Sequence, residues 1–291
     1  MGGALHPKLH RFTLLSIERR PDKNPGIDHK PCIIGITFHG AKTGDTRLAS
    51  KPVLTEDGSV TRFHPEYEEH YHSMCGAHKE ALKRFVEPCR LIEVALQKGA
   101  IRFLDVGFGL GVNLGIALHE LQSRAPKVSI EVVSLEKELL SLSDLRPHIA
   151  SLPGKETSTL LEQLVVEGEV SNTGLKMELI QGDALEQVPL LPGEFDAIFL
   201  DPFSPKKNPE PWQAHFLGAL WEVSSKGGIL STYSAAASVR MSLMRAGWEI
   251  GLGPRVGRKS SGTLASKGSV DPPLPALDPK QRRSLEKRLT E

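Results

Sequence analysis

The chain has 291 residues, of which 39% are hydrophobic and 24% are charged, and its formal net charge is +1. These proportions are ordinary for a globular protein with a buried core, and the length suits one large domain with a smaller appendage. A near-zero net charge favours no charged partner by itself, although it can conceal a local basic face.

The cysteines, the apolar runs and the N-terminal segment argue against a zinc or disulfide-rich protein, a membrane protein and a secreted protein. Cys32, Cys75 and Cys89 lack the paired spacing of a zinc site or a disulfide framework, so we expect free thiols and no metal. No apolar run approaches the roughly 20 residues of a membrane span. The N-terminal segment MGGALHPKLHRF lacks the apolar core of a signal peptide. The sequence therefore predicts a cytoplasmic protein.

Residues 1–95 are predicted to form an N-terminal extension. Prolines break the periodicity of its first half, where CIIGITF is either a strand or part of a loosely held segment. Residues 51–63 contain two apolar runs around Asp57-Gly58, which predicts a β-hairpin. Apolar residues at helical spacing predict a helix from about Gly76.

From residue 101 onward, short apolar strands alternate with longer helical segments. The predicted strands span residues 101–107, 129–136, 175–183, 194–201 and 227–234, and the predicted helices span residues 111–124, 138–152, 157–168, 211–224 and 235–247. This alternation is typical of a doubly wound α/β fold with a parallel sheet.

The end of this pattern distinguishes two kinds of α/β fold. Residues 248–257 and 262–267 read as strands with no helix between them, which predicts an antiparallel hairpin. A parallel sheet with that ending is the class I methyltransferase layout, whereas the NAD-binding Rossmann fold lacks it. We expect a Rossmann-like methyltransferase domain over residues 96–268 and an exposed basic tail over residues 269–291.

A glycine-rich turn is predicted between the first strand of this domain and its first helix. The segment FLDVGFGLG contains Asp105, Gly107, Gly109 and Gly111. Glycines permit a tight turn and a close approach of the backbone, and the helix offers free N–H groups. Such a motif alone is weak, but the strand-loop-helix context favours a cofactor site.

Acidic residues end the next two strands. Glu136 is placed to accept hydrogen bonds from ribose hydroxyls, a role that acids also have in NAD enzymes. Asp183 suits the exocyclic amine of adenine but is as easily explained as a helix N-cap. Because ligands of open α/β sheets bind at the carboxyl ends of the strands, these side chains together favour S-adenosyl-L-methionine as the cofactor.

The fourth strand ends in FLDPFSPKKNPEPW, a loop stiffened by four prolines. Asp201-Pro202-Phe203 is similar to the motif of methyltransferases that alkylate an amine. The amine must lose a proton and be held in line with the C–S bond, which a fixed carboxylate can support. The alternative is that Asp201 only ends the strand. Lys206 and Lys207 either contact phosphate or form a solvated pair.

With these residues the chain resembles the MnmC-type tRNA (5-methylaminomethyl-2-thiouridine) methyltransferases from about Lys51 to Lys267. The resemblance rests on DGS…YHSMCGAHKEAL, LDVGFGLGVN, FLDPFSPKKNPEPW and TYSAAASVRMSLMRAGW…GRKSSGTLAS. The second motif occurs in many methyltransferases, whereas the last two are more specific. Many members have Asp-Gly-Phe where this chain has Asp201-Pro202-Phe203.

The resemblance implies methyl transfer to the amine of 5-aminomethyluridine at the wobble position of the tRNA anticodon stem-loop. It implies the stand-alone form, in which the flavin oxidase chemistry of fused members is absent. It also places Tyr71 and His72 near the cofactor, and Tyr233, Ser234 and the turn of Gly257 near the substrate. Asp201, Phe203 and Tyr233 are the predicted catalytic residues.

Basic side chains crowd the predicted terminal hairpin. Arg255, Arg258 and Lys259 suit contacts with phosphate, which add affinity without reading sequence. Arg240 and Arg245 on the preceding helix could join them. The tail cations Lys280, Arg282 and Arg283 could extend this surface, but a solvated helix face explains them as well.

Four other functions compete with this interpretation. A spermidine-synthase-like aminopropyltransferase also needs an acid beside an amine but lacks the GRKSSGT-type hairpin. A small-molecule amine N-methyltransferase would bind no tRNA. A tRNA-binding module without catalysis would need neither the glycine turn nor Asp201. The hairpin at the end of the sheet disfavours a dehydrogenase.

Overall fold

The computed structural model describes residues 51–257 and 261–290, and its strands form one large sheet and two small hairpins. The strands are β1 (Val53–Leu54), β2 (Val60–Thr61), β3 (Phe63–His64), β4 (Glu69–His70), β5 (Ala100–Val106), β6 (Ser129–Glu136), β7 (Glu169–Asn172), β8 (Leu175–Gln181), β9 (Phe195–Leu200), β10 (Ser224–Thr232), β11 (Glu249–Arg255) and β12 (Ser261–Ser266).

Helices cover both faces of the large sheet. They are α1 (Ala77–Ala81), α2 (Leu91–Lys98), α3 (Val112–Arg124), α4 (Leu142–Ile149), α5 (Lys155–Glu167), α6 (Ala184–Gln187), α7 (Ala214–Val223), α8 (Ala237–Arg245) and α9 (Pro279–Thr290). A π-helical segment, Leu82–Val86, continues α1, and 3-10 turns occupy Val188–Leu190 and Glu210–Trp212.

The large sheet has the order β11-β12-β10-β9-β5-β6-β8-β7. Its five central strands, β10 to β8 in that order, are parallel. The strand β12 pairs antiparallel with both β10 and β11. The predicted fold, a parallel sheet that ends in an antiparallel hairpin, is confirmed.

Alternate residues of the central strands point to opposite faces, and both faces are buried. Phe103 and Phe199 belong to a core with the helices α1 to α5. Leu104 and Ile198, one residue along each strand, belong to a second core with α7 and α8. Burial on both faces explains why these strands are continuous apolar runs without alternation.

The N-terminal hairpin is confirmed and is attached to helix α1. The strands β1 and β2 pair antiparallel on either side of Asp57-Gly58. The Asp57 carboxylate accepts the Lys79 N–H at 3.0 Å, and the Ser59 hydroxyl accepts the Ala77 N–H at 2.8 Å. The DGS motif therefore caps α1 and fixes its position.

Two features were absent from the sequence predictions. The two-residue strands β3 and β4 form a second hairpin, and β7 adds an antiparallel strand at the sheet edge. Both are too short to show a periodic pattern. The predicted strand or loose segment CIIGITF, with Cys32, lies outside the described residues.

The predicted domain boundaries stay a prediction. Side chains of α1 and α2 share a hydrophobic core with the sheet. The tail forms α9 with exposed cations, as expected for a solvated face, but Leu277 and Leu285 are buried at 5% and 4% exposure. Most other residues of the tail are exposed or half-buried, and the tail as a separate segment stays a prediction.

Candidate active site

A cavity of about 820 Å³ opens at the carboxyl ends of the central strands, where the β3–β4 hairpin and the start of α1 close one side. Most of the residues predicted from the sequence line it: Tyr71, His72, Gly107, Gly109, Glu136, Asp183, Asp201, Phe203 and Tyr233. The sheet topology therefore brings together side chains that are far apart in the sequence.

The glycine turn leaves space for a ligand only because its residues lack side chains. Gly107 has φ 95°, and a Cβ there would lie 3.1 Å from the carbonyl oxygen of Asp201. Gly109 has φ 54°, and its Cβ would lie 3.1 Å from the ring of Tyr71. Such conformations favour glycine. The turn is a backbone cradle between Tyr71 and the end of β9.

Two backbone N–H groups hold the carboxylate of Glu136. Gly109 donates to Oε2 at 2.8 Å, and Glu138 donates to Oε1 at 2.9 Å. Burial raises the pKa of Glu136, while these hydrogen bonds oppose the rise. The side chain is thus fixed at the tip of β6, where it lines the cavity, and its two oxygens have further lone pairs that a ribose contact would need.

Asp183 is an N-cap and also lines the cavity. Its Oδ1 accepts the Leu185 N–H at 3.0 Å at the start of α6, and its Oδ2 lies 2.9 Å from Nζ of Lys137. Burial would raise its pKa, but the contacts with Lys137 and Leu185 hold the pKa below its ordinary value. The N-cap explanation is therefore confirmed, and a contact with adenine stays a prediction.

Asp105 was predicted to contact the cofactor, but it lies off the cavity wall. Its side chain is fully buried and accepts the Ser134 hydroxyl at 2.7 Å on Oδ2. Within the described residues, Oδ1 meets no hydrogen-bond donor. Burial raises the pKa of Asp105 to about 7. We therefore assign Asp105 to the junction of β5 and β6 beneath the glycine turn.

The loop after β9 is attached to the protein at three successive residues. Tyr233 donates its hydroxyl to the Pro202 carbonyl at 2.8 Å, and the Trp212 indole donates to the Phe203 carbonyl at 2.9 Å. Glu69 of β4 accepts the Ser204 N–H at 3.1 Å. These contacts hold the mouth of the loop, where Asp201 accepts the Asn113 amide at 2.7 Å.

Phe203 belongs to an aromatic wall on one side of the cavity. Its ring stacks on Tyr67 with centroids 4.2 Å apart. The rings of His64 and Tyr71 contact it at centroid distances of 5.0 and 5.2 Å. Phe203 therefore forms part of the wall, and its catalytic role stays a prediction. Tyr67 and His64 were not predicted because they lie on the short β3–β4 hairpin.

His72 and Tyr233 line the cavity in different ways. His72 is 6% exposed, and its backbone N–H donates to the Thr61 hydroxyl at 3.1 Å. Burial raises the pKa of Tyr233 well above its ordinary value, and the charges of Asp201, Glu69 and Glu80 raise it further. Tyr233 is thus a neutral phenol that supports the loop.

Glu80 and its partner Arg84 were also missed by sequence reasoning. Glu80 lines the cavity and lies 3.6 Å from the guanidinium of Arg84, with both side chains buried. Their spacing of four residues on an apolar helix was the available signal, because such a pair on a buried face is unusual.

Of the predicted phosphate-binding residues that the structure describes, Lys206, Lys207 and Arg255 are not part of the cavity wall. Lys207 pairs with Glu68, whereas Lys206 and Arg255 are exposed. Arg258 and Lys259 lie outside the described residues. A phosphate contact for Arg240 was wrongly predicted, because Arg240 is buried and donates to the Thr263 hydroxyl at 3.0 Å and the Gly262 carbonyl at 3.2 Å.

The cavity wall is strongly acidic. Among the described residues that line it, one lysine, Lys137, faces eight carboxylates: Glu68, Glu69, Glu80, Glu136, Glu138, Asp183, Asp201 and Glu210. This lining favours a cationic ligand, and the sulfonium of S-adenosyl-L-methionine is one. Within the described ranges, no His, Cys, Asp and Glu group could hold a metal ion, and no helix is long and apolar enough to cross a membrane.

Comparison with known proteins identifies relatives of this chain. Residues 155–268 match a family of S-adenosyl-L-methionine-dependent methyltransferases. The tRNA 5-methylaminomethyl-2-thiouridine biosynthesis bifunctional protein MnmC of Pseudomonas fluorescens is 37% identical over 188 residues. That match covers 60% of this chain but 28% of the bifunctional protein. An uncharacterized protein of Methanocaldococcus jannaschii is 30% identical over 74% of this chain and 59% of its own length.

A solved structure extends the comparison to most of the chain. The crystal structure of MnmC2 from Aquifex aeolicus has 36% sequence identity and a TM-score of 0.73. The match covers 83% of this chain and 76% of that one. The resemblance noted in the sequence is thereby confirmed. The chain belongs to the MnmC-type family of S-adenosyl-L-methionine-dependent methyltransferases.

Proposed function

We propose that this chain transfers a methyl group from S-adenosyl-L-methionine to the amine of 5-aminomethyl(-2-thio)uridine at the tRNA wobble position, giving 5-methylaminomethyl(-2-thio)uridine. The observation that carries the proposal is the position of Asp201. Its carboxylate is held by Asn113 at 2.7 Å, beside the glycine cradle and at the mouth of a loop anchored by Tyr233.

When bound, S-adenosyl-L-methionine supplies a methyl group on a sulfonium sulfur, which keeps the electron pair of the broken C–S bond. Asp201 attracts the acceptor ammonium and takes its proton, so that the nitrogen lone pair is free to form the new C–N bond. The anchored loop fixes the carboxylate, since the rate depends on in-line geometry. Water then carries the proton away.

The other end of the cavity suits the nucleoside part of the cofactor. Gly107 and Gly109 would let the cofactor approach the backbone, and Glu136 would accept hydrogen bonds from its ribose. Asp183 would accept from the adenine amine with a lone pair that its N-cap and Lys137 contacts leave available.

An exposed cation at the end of β11, Arg255, supports tRNA as the carrier of the amine. A Cβ on Gly257 would lie 2.6 Å from the sulfur of Cys75, so this end of β11 packs beside Met74, which lines the cavity and is 41% exposed. Arg255 is exposed on the same strand end. Arg258 and Lys259 follow in the sequence, and we propose that these cations contact the anticodon stem-loop.

The rival functions lack such support. An aminopropyltransferase or a small-molecule N-methyltransferase would have no use for the basic residues of the terminal hairpin. Neither function matches the name of the similar protein, which is tRNA 5-methylaminomethyl-2-thiouridine biosynthesis bifunctional protein MnmC. The acidic cavity alone would suit any of the three, because each acceptor is an amine.

The test uses methyl-labelled S-adenosyl-L-methionine and three acceptors. They are tRNA with 5-aminomethyluridine at the wobble position, the same tRNA with unmodified uridine, and the free 5-aminomethyluridine nucleoside. We expect label only in the first acceptor. Equal labelling of the free nucleoside would show that the acceptor is a small molecule and not tRNA. Label in none of the three acceptors would refute the proposed function.

A further inference from the structure

Helix α9 concentrates positive charge at one place on the surface. Its sequence, PKQRRSLEKRLT, contains five cations and one carboxylate. All five cations are exposed, and they are Lys280, Arg282, Arg283, Lys287 and Arg288. The whole chain has a net charge of +1, so the rest of the chain offsets the charge of this helix. A near-neutral protein therefore contains a strongly basic local surface.

Three of these cations form one row on the outer face of α9. Leu285, at 4% exposure, marks the inner face, and Gln281, one turn earlier, accepts a hydrogen bond from Arg240 of α8 at 3.4 Å. Residues at positions 280, 283 and 287 follow helical spacing and lie on the side opposite Leu285. This outer row consists of Lys280, Arg283 and Lys287.

Contacts at the start of α9 fix the position of the outer row. The Asp278 carboxylate accepts the Lys280 N–H at 2.9 Å and the Gln281 N–H at 3.3 Å, and so caps the helix. Just before the helix, the Pro275 carbonyl accepts the Leu252 N–H of β11 at 2.7 Å. The helix is thus attached to the sheet edge formed by β11.

A series of hydrogen bonds connects α9 with the cavity wall. Arg240, which donates to Gln281, also donates to the Thr263 hydroxyl at 3.0 Å. Thr263 in turn donates its hydroxyl to the Ser234 carbonyl at 2.7 Å. Ser234 follows Tyr233, which lines the cavity. The first turn of α9 therefore lies beside the carboxyl end of β10, on the side of the sheet where the cavity opens.

The chemistry of the outer row fits a phosphate backbone. Cations along one straight face match the regularly repeated negative charges of a nucleic acid, and the planar guanidinium of Arg283 can bind a phosphate through two N–H groups. A membrane surface fits less well, because a membrane-binding helix presents apolar residues to the lipid. In α9 the side chain of Leu285 is buried against the protein instead.

We propose that α9 is an RNA-binding surface, on which Lys280 and Arg283 contact phosphates of the tRNA whose wobble nucleotide enters the cavity. This role deepens the proposed function and rests on it. The contacts add affinity and orient the tRNA without reading its sequence. They act on tRNA binding and leave cofactor binding and the reaction unchanged.

The test measures tRNA binding by the full chain over a range of salt concentrations. The tRNA carries 5-aminomethyluridine at its wobble position, and S-adenosylhomocysteine is present so that no methyl transfer occurs. Lys280→Gln/Arg283→Gln removes both charges and keeps good helix formers. We expect the log–log slope of affinity against salt to fall by about two, because two phosphate contacts are lost. In steady state, KM for the tRNA should rise while kcat stays the same.

A matched control removes two exposed cations from another surface. Arg124→Gln/Lys127→Gln changes residues between α3 and β6, at the amino ends of the strands. The net charge changes by the same amount, and the slope should stay at the wild-type value. Lys280→Arg/Arg283→Lys keeps both charges of α9 and should also keep the slope. Unchanged affinity for S-adenosyl-L-methionine in calorimetry checks that each variant is folded.

The proposal fails if Lys280→Gln/Arg283→Gln keeps the wild-type slope, or if the control lowers the slope by the same amount, since net charge alone would then be responsible. It also fails if the α9 variant keeps its tRNA affinity but loses binding to vesicles that contain phosphatidylserine, because α9 would then face a membrane. Failure of the proposed function is separate, since it would show as absent methyl transfer by the wild-type chain.

Discussion

The two ends of the cavity are built in different ways. At the cofactor end, Gly109 and Glu136 bond through a backbone N–H, and the residues lie at the tips of adjacent parallel strands. At the acceptor end, Asn113, Glu69 and Tyr233 hold the end of β9 and its loop through side chains. The cofactor end depends mainly on the order of the parallel strands, whereas the acceptor end depends also on how α3 and β4 pack against them.

Because of this difference, we expect one end to determine the affinity for S-adenosyl-L-methionine and the other end to determine the choice of acceptor. A substitution at the cofactor end should change affinity for S-adenosyl-L-methionine and leave the choice of acceptor alone. A substitution on the β3–β4 hairpin or on α1 should do the reverse. Each side-chain hydrogen bond that anchors the loop is worth about 1 kcal/mol, so the acceptor end is also easier to alter than the sheet.

The largest effect is expected from Asp201→Asn, a substitution at the acceptor end that should lower turnover without changing cofactor affinity. Asp201→Asn keeps the shape and can still accept from Asn113, but it loses the charge and the proton acceptor. Turnover at saturating tRNA should fall roughly 10²- to 10⁴-fold, while affinity for S-adenosyl-L-methionine stays within a few-fold in calorimetry. Asp196→Asn, at the opposite end of β9, is the matched control. Near-normal turnover of Asp201→Asn would make this residue a strand end only.

A second prediction concerns the buried support beneath the cofactor end. The pKa of Asp105 is about 7 in the folded chain and 3.8 ordinarily. Between these values the unfolded chain releases the proton and the folded chain keeps it. The contribution of Asp105 to the free energy of unfolding is thus fully present below about pH 4 and is lost as the pH rises to about 7.

At about 1.4 kcal/mol for each pH unit, this loss reaches about 4 kcal/mol at most. Asp105→Asn cannot titrate, so its stability relative to the wild type should rise across this interval in urea unfolding experiments. If the difference in the free energy of unfolding between Asp105→Asn and the wild type stays constant with pH, Asp105 is already charged in the folded protein.

A third prediction tests the cofactor end directly. Glu136→Ala should weaken S-adenosyl-L-methionine binding by roughly 1.5–3 kcal/mol, the scale of hydrogen bonds to a charged group. The affinity for tRNA should not change. Glu131→Ala, on the same strand but far from the cavity, should bind the cofactor normally. If calorimetry shows that Glu136→Ala binds S-adenosyl-L-methionine with unchanged affinity, Glu136 does not contact the cofactor.

The smallest effect is expected outside the cavity, at Arg255. Arg255→Ala should reduce the log–log slope of tRNA affinity against salt by about one, because one phosphate contact is lost. Cofactor affinity should remain at the wild-type value. Arg124→Ala, whose exposed side chain pairs with Glu120 on α3, is the control. A wild-type slope for Arg255→Ala would place the tRNA on another surface.

The same difference explains which parts of the site could be predicted from the sequence. Glu136 and Asp183 end apolar strands, and parallel topology places such ends at one edge. Glu80 and Tyr67 reach the cavity only through the packing of α1 and the β3–β4 hairpin, for which no local pattern exists. Arg240 was misjudged for the same reason, since its partner Thr263 lies on a distant strand.

One structure determination would test the central claim most directly: a crystal structure with S-adenosylhomocysteine and an anticodon stem-loop that carries 5-aminomethyluridine. We predict that the ribose hydroxyls bond to Glu136 and that the uridine amine lies about 3 Å from the Asp201 carboxylate. A ribose bound away from Glu136, or an amine that does not reach Asp201, would contradict the division of the cavity into these two ends.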